Sequence, residues 1–269
     1  MPANIDFIPV WLLFLATVVI VMLSIEAGYL LGSFVLRRSP GEKESPASAI
    51  AGSILGLAAF VLAFSFGIVS DRYDSRKALV REDANAIGTS YRRADFLAEP
   101  DRSAARRLFL RYANLRLDAA ALQGRSDAAH ETFIQLLAET EQIQHELWDM
   151  AVANARKDMN SHFGALYVDA LNRMFDVSAM RVAVGARARV PVGIWLVLYC
   201  ITILGMIGIG YQTGIAGSKR SSGRLILALS FSLVFMLIAA LDSPYSTFIK
   251  VPQQPLIDLR DSMAQSEAD

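Results

Sequence analysis

Four long runs without a charged residue constrain this chain more than any other feature of its sequence. The runs cover residues 7–25, 45–70, 190–218 and 225–241, with lengths of 19, 26, 29 and 17 residues. A helix needs about 20 apolar residues to cross a bilayer. The first three runs reach that length, and the fourth does so if its helix continues past Leu241. We therefore predict four transmembrane helices and a bilayer as the surrounding solvent.

The composition fits this prediction, because 54% of the residues are hydrophobic and only 19% are charged. The formal net charge is zero, and basic and acidic residues alternate in the polar segments, unlike the basic face of a nucleic-acid-binding protein. No Lys or Arg precedes the first run, which is longer than the apolar part of a signal peptide, so we expect a retained helix. Cys200, the only cysteine, lies in the third run and is expected to fill space there.

The polar segment of 119 residues between the second and third runs has a helical pattern throughout. Apolar residues recur at steps of three and four, and no stretch alternates with the period of a strand. No proline or turn cluster separates the second run from the first polar helix, so one helix is expected to continue through both. Pro100 favours the start of a second helix over 102–122, Ser126 or Asp127 favours the cap of a third, and a fourth is predicted over 163–186.

The predicted fold is therefore an all-α polytopic membrane protein with a helical soluble domain inserted between its second and third spans. The predicted boundaries are 1–70 for the first two spans, 71–189 for the soluble domain, 190–248 for the last two spans and 249–269 for a short tail.

Motifs of enzymes and metal sites are absent from the sequence. His130 and His145 are each followed by Glu, but neither begins the H-E-x-x-H pattern of zinc enzymes, and His162 has no cysteine partner. There is no phosphate-binding loop, no nucleophile elbow and no dinucleotide fingerprint. We expect no enzymatic activity, no metal and no cofactor.

Glu26 is the one charge inside the extended apolar stretch 7–36. A charge at the centre of a bilayer costs about 3 kcal/mol and often marks a functional site. The stretch is longer than a span requires, so Glu26 can also lie at the membrane surface. The sequence leaves both interpretations open.

The second run has two distinct faces. One is a stripe of small residues at helical spacing, which permits close approach between helices: Gly52, Gly56, Ala59, Ala63, Gly67. Beside it is a bulky face that includes Leu57, Phe60 and Phe64. Ordinary packing between spans explains both faces. In a ring of several copies, the bulky face would instead form an apolar constriction in a pore.

Three stretches of the sequence resemble the bacterial bestrophin-like family and, more distantly, the bestrophin ion channels. The first is "LGLAAFVLAFSF" continuing into "DRYDSRKALVREDANAIGTSYRRADFL", and the second is "AMRVAVGARARVPVGIWLVLYC". The third, "LDSPYSTFIKVPQQPLIDL", is similar to a motif near the end of the channels. Its matching residues here are Asp242, Pro244, Tyr245, Pro255 and Leu256.

The resemblance implies a pentameric ion channel whose second helix lines a neck on the symmetry axis. It also implies a multi-pass protein of the inner (plasma) membrane, with the soluble domain and both termini in the cytoplasm. The acidic run that serves calcium sensing in animal bestrophins is missing before "DSPY", and the tail is short, so neither calcium control nor tail-based gating is expected.

Charge alone decides neither the orientation nor the permeant ion. The two short loops carry three basic residues each, and basic residues also flank both ends of the polar segment. After the second run, Arg72 and Arg76 favour anions, whereas Asp71 and Asp74 oppose that preference or form ion pairs with them. A non-conducting scaffold or sensor, whose helical domain binds a partner, is the alternative to the channel.

Overall fold

The structure is a computed structural model that describes residues 9–38, 44–122, 127–187, 189–218, 222–243 and 248–268. Within these ranges the chain forms α-helices and no strand, which confirms the all-α prediction. The helices are α1 (Val10–Arg38), α2 (Glu44–Arg93), α3 (Asp101–Ala121), α4 (Asp127–Lys157), α5 (His162–Val182), α6 (Val192–Ile215), α7 (Gly223–Asp242) and α8 (Gln254–Ala268). Among the described helices, α1, α2, α6 and α7 are long and apolar enough to cross a membrane.

The helix ends follow the local signals in most places. The 50-residue helix α2 passes without a break from the apolar run into the charged segment. A single 3₁₀ turn, Ala94–Phe96, follows it, and Pro100 directly precedes α3. The predicted cap Ser126 lies outside the described residues. The predicted fourth helix ends earlier than expected, because α5 passes at Ala183 into a π-helical turn that ends at Arg187.

The contacts divide the chain into two compact units. The first contains α1, α2 as far as Asp71, α6 and α7. The second contains α2 from Arg72 onward, α3, α4, α5 and α8. Each unit has a core of its own.

Direct contact between two helix backbones organises the first unit. Gly28 and Gly32 of α1 lie against the backbone of α6, and Gly210 and Gly214 of α6 lie against the backbone of α1. A Cβ at any of these four positions would come closer than 3.0 Å to a backbone atom of the opposite helix. Both helices therefore have a glycine pair at four-residue spacing, the arrangement that permits the closest approach of helices in a bilayer.

The other contacts of the first unit surround this pair of helices. Val21 and Ile25 of α1 pack with Met206 of α6 and Ala228 of α7. Thr17 Oγ1 lies 2.8 Å from the hydroxyl of Tyr199, and it also donates a hydrogen bond to a backbone carbonyl of its own helix. Such bonds satisfy hydroxyl groups that have no water as a partner in a bilayer.

The second unit is a helical bundle whose core contains large, fully buried side chains from several helices. Residues of this core include Ile87, Phe109, Tyr112, Leu147, Leu171 and Met174. The C-terminal helix α8 packs against α3 and places Leu256 and Met263 in the same core. Most of the segment predicted as a short tail is thus an integral helix of the bundle.

The glycine contact predicts that Gly210→Ala destabilises the first unit. The added methyl group has to displace the backbone of α1 near Ile25, and overpacking of this kind costs about 1–3 kcal/mol. We expect a lower melting temperature in detergent. The matched control is Gly193→Ala in the same helix, where a Cβ has no atom within 4 Å and melting is expected to stay unchanged. Equal melting of the two variants would contradict the proposed backbone contact.

Candidate functional site

The bulky face of α2 lies outside the chain's own core. Phe60 and Phe64 are 60% and 62% exposed, and Leu57 is also exposed. The two phenylalanine rings are one helical turn apart, with ring centroids separated by 4.9 Å. They form a continuous aromatic surface on one side of the helix.

The stripe of small residues on α2 is also exposed. Gly52, Gly56, Ala59, Ala63 and Gly67 are all accessible in the single chain. A Cβ at any of the three glycines would have no atom within 4 Å. The stripe therefore makes no close helix contact within this chain.

A third face of α2, not singled out in the sequence, is the buried one. It is formed by Ala51, Ala58, Leu62, Ser65 and Val69, which recur at steps of seven, four, three and four residues. At its N-terminal end, Ala51 and Leu55 lie against glycines of α6, Gly208 and Gly205. With one face buried, α2 leaves both the bulky face and the small-residue stripe free for contacts outside the chain.

The four charged residues predicted beyond the second span have different environments. Arg76 is buried, Arg72 is half-buried, and Asp71 and Asp74 are exposed. Asp74 forms an ion pair with Lys77, one helical turn away, at 3.7 Å. The partner of Asp74 is thus Lys77, so the ion pairs expected of Asp71 and Asp74 with Arg72 and Arg76 stay a prediction.

Glu26 forms an ion pair with Arg224, whose Nη1 lies 3.0 Å from Oε2 of the carboxylate. Arg224 is in the first turn of α7, so the pair lies at the end of that helix and not at its middle. The two side chains remain 32% and 33% exposed. Glu26 thus has a cationic partner at the level where α7 begins.

Asp242 connects the end of α7 to the start of α6. Its carboxylate is buried and accepts hydrogen bonds from the backbone N–H of Val190, at 3.1 Å to Oδ1 and 3.3 Å to Oδ2. Pro191, the next residue, has no N–H to donate and precedes the first turn of α6. A carboxylate at this position also interacts favourably with the positive end of the helix dipole. Of the other residues in this motif, Pro244 and Tyr245 lie outside the described residues.

A buried cluster of charges in the second unit was not recognised in the sequence. Asp83 of α2 is fully buried, and its Oδ2 accepts hydrogen bonds from Arg116 of α3 and Arg181 of α5. Arg116 donates through Nε and Nη2, both at 3.2 Å, in a side-on arrangement. Arg181 also donates through Nη2 to the side chain of Gln253, at 2.8 Å, just before α8. The cluster therefore joins four segments of the bundle.

Burial and charge act together on this cluster. Burial lowers the pKa of the Arg181 guanidinium, the neighbouring Arg116 lowers it further, and Asp83 opposes both effects. Two guanidinium groups share one carboxylate, so Asp83 is the group that keeps both cations stable inside the bundle. In the sequence, Asp83 looks like one more charge in an alternating run, because its partners are 33 and 98 residues away.

The histidines do not gather into a site. His130, His145 and His162 are all exposed, and His145 lies 4.0 Å from Glu141 on the surface of α4. Within the described part of the chain, no group of three or more His, Cys, Asp or Glu side chains is placed to hold a metal ion.

The charge cluster predicts that Asp83→Asn strongly destabilises the second unit. An amide leaves two buried guanidinium groups without a counter-charge, and breaking a buried pair in this way costs about 3–5 kcal/mol. Asp74→Asn, which removes an exposed carboxylate of the same helix, is expected to cost less than about 1 kcal/mol. Thermal melting of the two variants gives the comparison. A melting temperature for Asp83→Asn equal to that of Asp74→Asn would show that the cluster contributes little.

Comparison with known proteins places this architecture in a family. Two crystal structures of a bacterial Bestrophin homolog from Klebsiella pneumoniae have the same fold. One was phased by Zn-SAD and has a TM-score of 0.63 at 16% identity, covering 94% of this chain and 96% of that chain. The other carries one mutation and has a TM-score of 0.65 at 15% identity. It covers 97% of this chain and 99% of that chain. The curated proteins contain no match to this sequence. The model of the Bestrophin-like domain matches residues 12–256, and the chain therefore belongs to the Bestrophin-like family of membrane proteins.

Proposed function

We propose that this chain is one subunit of an oligomeric ion channel whose pore is lined by α2. Membership of the Bestrophin-like family and the resemblance to the bestrophin channels support this function. The observation that carries the proposal is the exposed aromatic face of Phe60 and Phe64 on a helix that already has a buried face. An aromatic surface in this position needs contact with lipid, with another copy, or with the axis of a pore.

The bulky face is proposed as a hydrophobic neck. In a ring of copies, Leu57, Phe60 and Phe64 form stacked apolar layers around the axis. Water in such a narrow constriction loses hydrogen bonds without compensation, so the closed neck is dry and blocks ions. Conduction then requires a small widening of the ring and no charged gate.

The stripe of small residues is proposed as the contact between neighbouring copies of α2. Its exposure in the single chain, together with the open space around Gly52, Gly56 and Gly67, supports a partner outside the chain. Small residues allow two helices to approach closely and gain van der Waals contact. The resemblance to bestrophins favours five copies in the ring.

The remaining assignments follow from the same resemblance. We propose that residues 71–189 form a domain on the cytoplasmic side of the inner membrane, with both termini on that side. The spans then comprise residues 1–70 and 190–248. Beyond the neck, the exposed Asp71 and the half-buried Arg72 are candidates for charges that ions meet.

A scaffold or sensor is the second candidate, and one surface of the bundle favours it. Phe96 and Phe163 are exposed, with ring centroids 5.0 Å apart, and Met159 nearby in the sequence is 81% exposed. Exposed aromatic and methionine side chains of this kind are typical of surfaces that bind another protein. In this alternative, the helical domain binds a partner and the spans only anchor it.

The neck predicts a gain of ion flux when its rings are removed. Phe60→Ala together with Phe64→Ala widens the constriction and is expected to raise ion flux into liposomes above that of the wild type. Both rings are outside the core, so the cost of about 3–5 kcal/mol for a buried Phe→Ala change should not apply and melting should change little.

The matched control for the neck is Phe66→Ala, an exposed phenylalanine two residues after Phe64 and therefore on the other side of α2. Its flux should remain that of the wild type. A double variant that loses stability without a rise in flux would reject the neck and favour the scaffold.

The stripe predicts that the size of the side chain at position 56 controls assembly. Gly56→Leu should break up the oligomer, because a bulky side chain prevents close approach of the helices. Gly56→Ala should keep it. Neither change meets an atom within 4 Å of Cβ in the single chain, so the chain itself should fold. Light scattering after size-exclusion chromatography measures the assembly. An oligomer of unchanged mass and melting temperature in Gly56→Leu would contradict the assignment of the stripe, and a monomeric or dimeric wild type would reject a central pore.

A further inference from the structure

A cleft of about 170 Å³ opens between α1, α6 and α7 in the first unit. Its walls combine apolar side chains, such as Ile25, Ile209 and Leu227, with the ion pair of Glu26 and Arg224. Tyr29 and Thr213 add hydroxyl groups to the lining. Among the described residues, the cleft therefore has a mostly apolar wall with the cation Arg224 beside the anion Glu26.

If α7 spans a bilayer over its full length, the two charges lie where hydrocarbon changes to headgroups. Arg224 lies in the first turn of an apolar helix of 20 residues, a length that matches the hydrocarbon core. The pair is about one-third exposed, so molecules outside the chain can reach it. Charges at such a level interact with lipid headgroups, because these are the polar groups that surround the end of a span.

Arg224 retains capacity for a second acceptor. Its guanidinium donates a hydrogen bond through Nη1 to Glu26. Its Nε and Nη2 N–H groups have no acceptor among the described residues. A guanidinium presents its donors in a planar fork that fits two oxygens of a phosphate. A carboxylate accepts several hydrogen bonds, so Glu26 can bind an ammonium group while it remains paired with Arg224.

We propose that this cleft binds the headgroup of phosphatidylethanolamine. Its phosphate binds Arg224, its ammonium binds Glu26, and the upper part of an acyl chain covers the apolar wall. The charges of this headgroup complement those of the pair, cation to anion and anion to cation. A purely anionic headgroup brings no partner for Glu26, and a choline headgroup has no N–H with which to donate a hydrogen bond.

Lipid titration of the full-length protein in detergent tests this site. The bound lipid is counted by native mass spectrometry with phosphatidylethanolamine, phosphatidylcholine and phosphatidylglycerol of identical acyl chains. Phosphatidylethanolamine is expected to bind about tenfold more tightly than the other two, the factor that corresponds to one hydrogen bond to a charged group. Soluble glycerophosphoethanolamine, added as a competitor, is expected to displace little of the lipid.

Three variants and a control assign the preference to the cleft. Arg224→Gln and Glu26→Gln are each expected to reduce the preference for phosphatidylethanolamine by about tenfold. Arg38→Gln removes a cation from the end of α1, outside the lining of the cleft, and should keep the preference. Arg224→Lys retains a charge for Glu26 but loses the planar fork, so it should fold like the wild type and bind phosphatidylethanolamine less tightly.

Several outcomes would overturn the proposal. Equal binding of the three lipids by the wild type would overturn it, and this result does not depend on whether the variants fold. A preference for phosphatidylglycerol, an unchanged preference in Arg224→Gln, or full displacement by the soluble headgroup would also do so. None of these measurements requires ion flux. The lipid site can therefore be rejected without rejecting the proposed channel function, and the channel function can be rejected without rejecting the lipid site.

Discussion

The backbone contact between α1 and α6 is the interaction on which the first unit depends. Helices in a bilayer gain nothing by hiding apolar side chains from each other, because lipid is equally apolar. Close packing and hydrogen bonds must hold them together instead. Gly28, Gly32, Gly210 and Gly214 allow two backbones to touch, which maximises the van der Waals contact between the helices. The hydroxyl pair of Thr17 and Tyr199 and the ion pair of Glu26 and Arg224 then add polar contacts of α1 with α6 and α7.

The second unit is held together by different physics, since its helices have an ordinary apolar core. Large side chains such as Phe109, Leu147 and Met174 are completely buried in it. One cluster of charges, centred on Asp83, is placed within this apolar environment. A buried ion cluster contributes little net stability, but the loss of one partner leaves an uncompensated charge and is costly, so arrangements that separate Asp83 from its two arginines are disfavoured. Arg181 extends the cluster to Gln253 and so to the start of α8.

Helix α2 shows how three faces of one helix are put to different uses. The face with Ala58 and Leu62 is buried in the chain, whereas the stripe around Gly56 and the face of Phe60 are not. A helix with a single function needs only one buried face. The two exposed faces are the basis for proposing both a contact with a neighbouring copy and a surface on the pore axis. In that proposal the two roles lie on different faces, so a substitution on one face tests one role.

The sequence by itself determined the kind of fold and the four apolar helices. Length and hydropathy suffice for that, because a bilayer requires about 20 apolar residues and satisfies backbone groups only inside a helix. Local signals such as Pro100 also located a helix start, and three stretches of sequence carried the family resemblance. Only the tertiary structure decided which small residues are contacts within the chain. The stripe at Gly52 and Gly56 and the pair at Gly210 and Gly214 have the same spacing, yet only the second pair meets another backbone. The partners of Glu26, Asp83 and Asp242 were likewise decided by tertiary structure, since each lies 33 or more residues away. Periodicity describes a helix face, but the choice of what covers that face depends on the packing of distant segments.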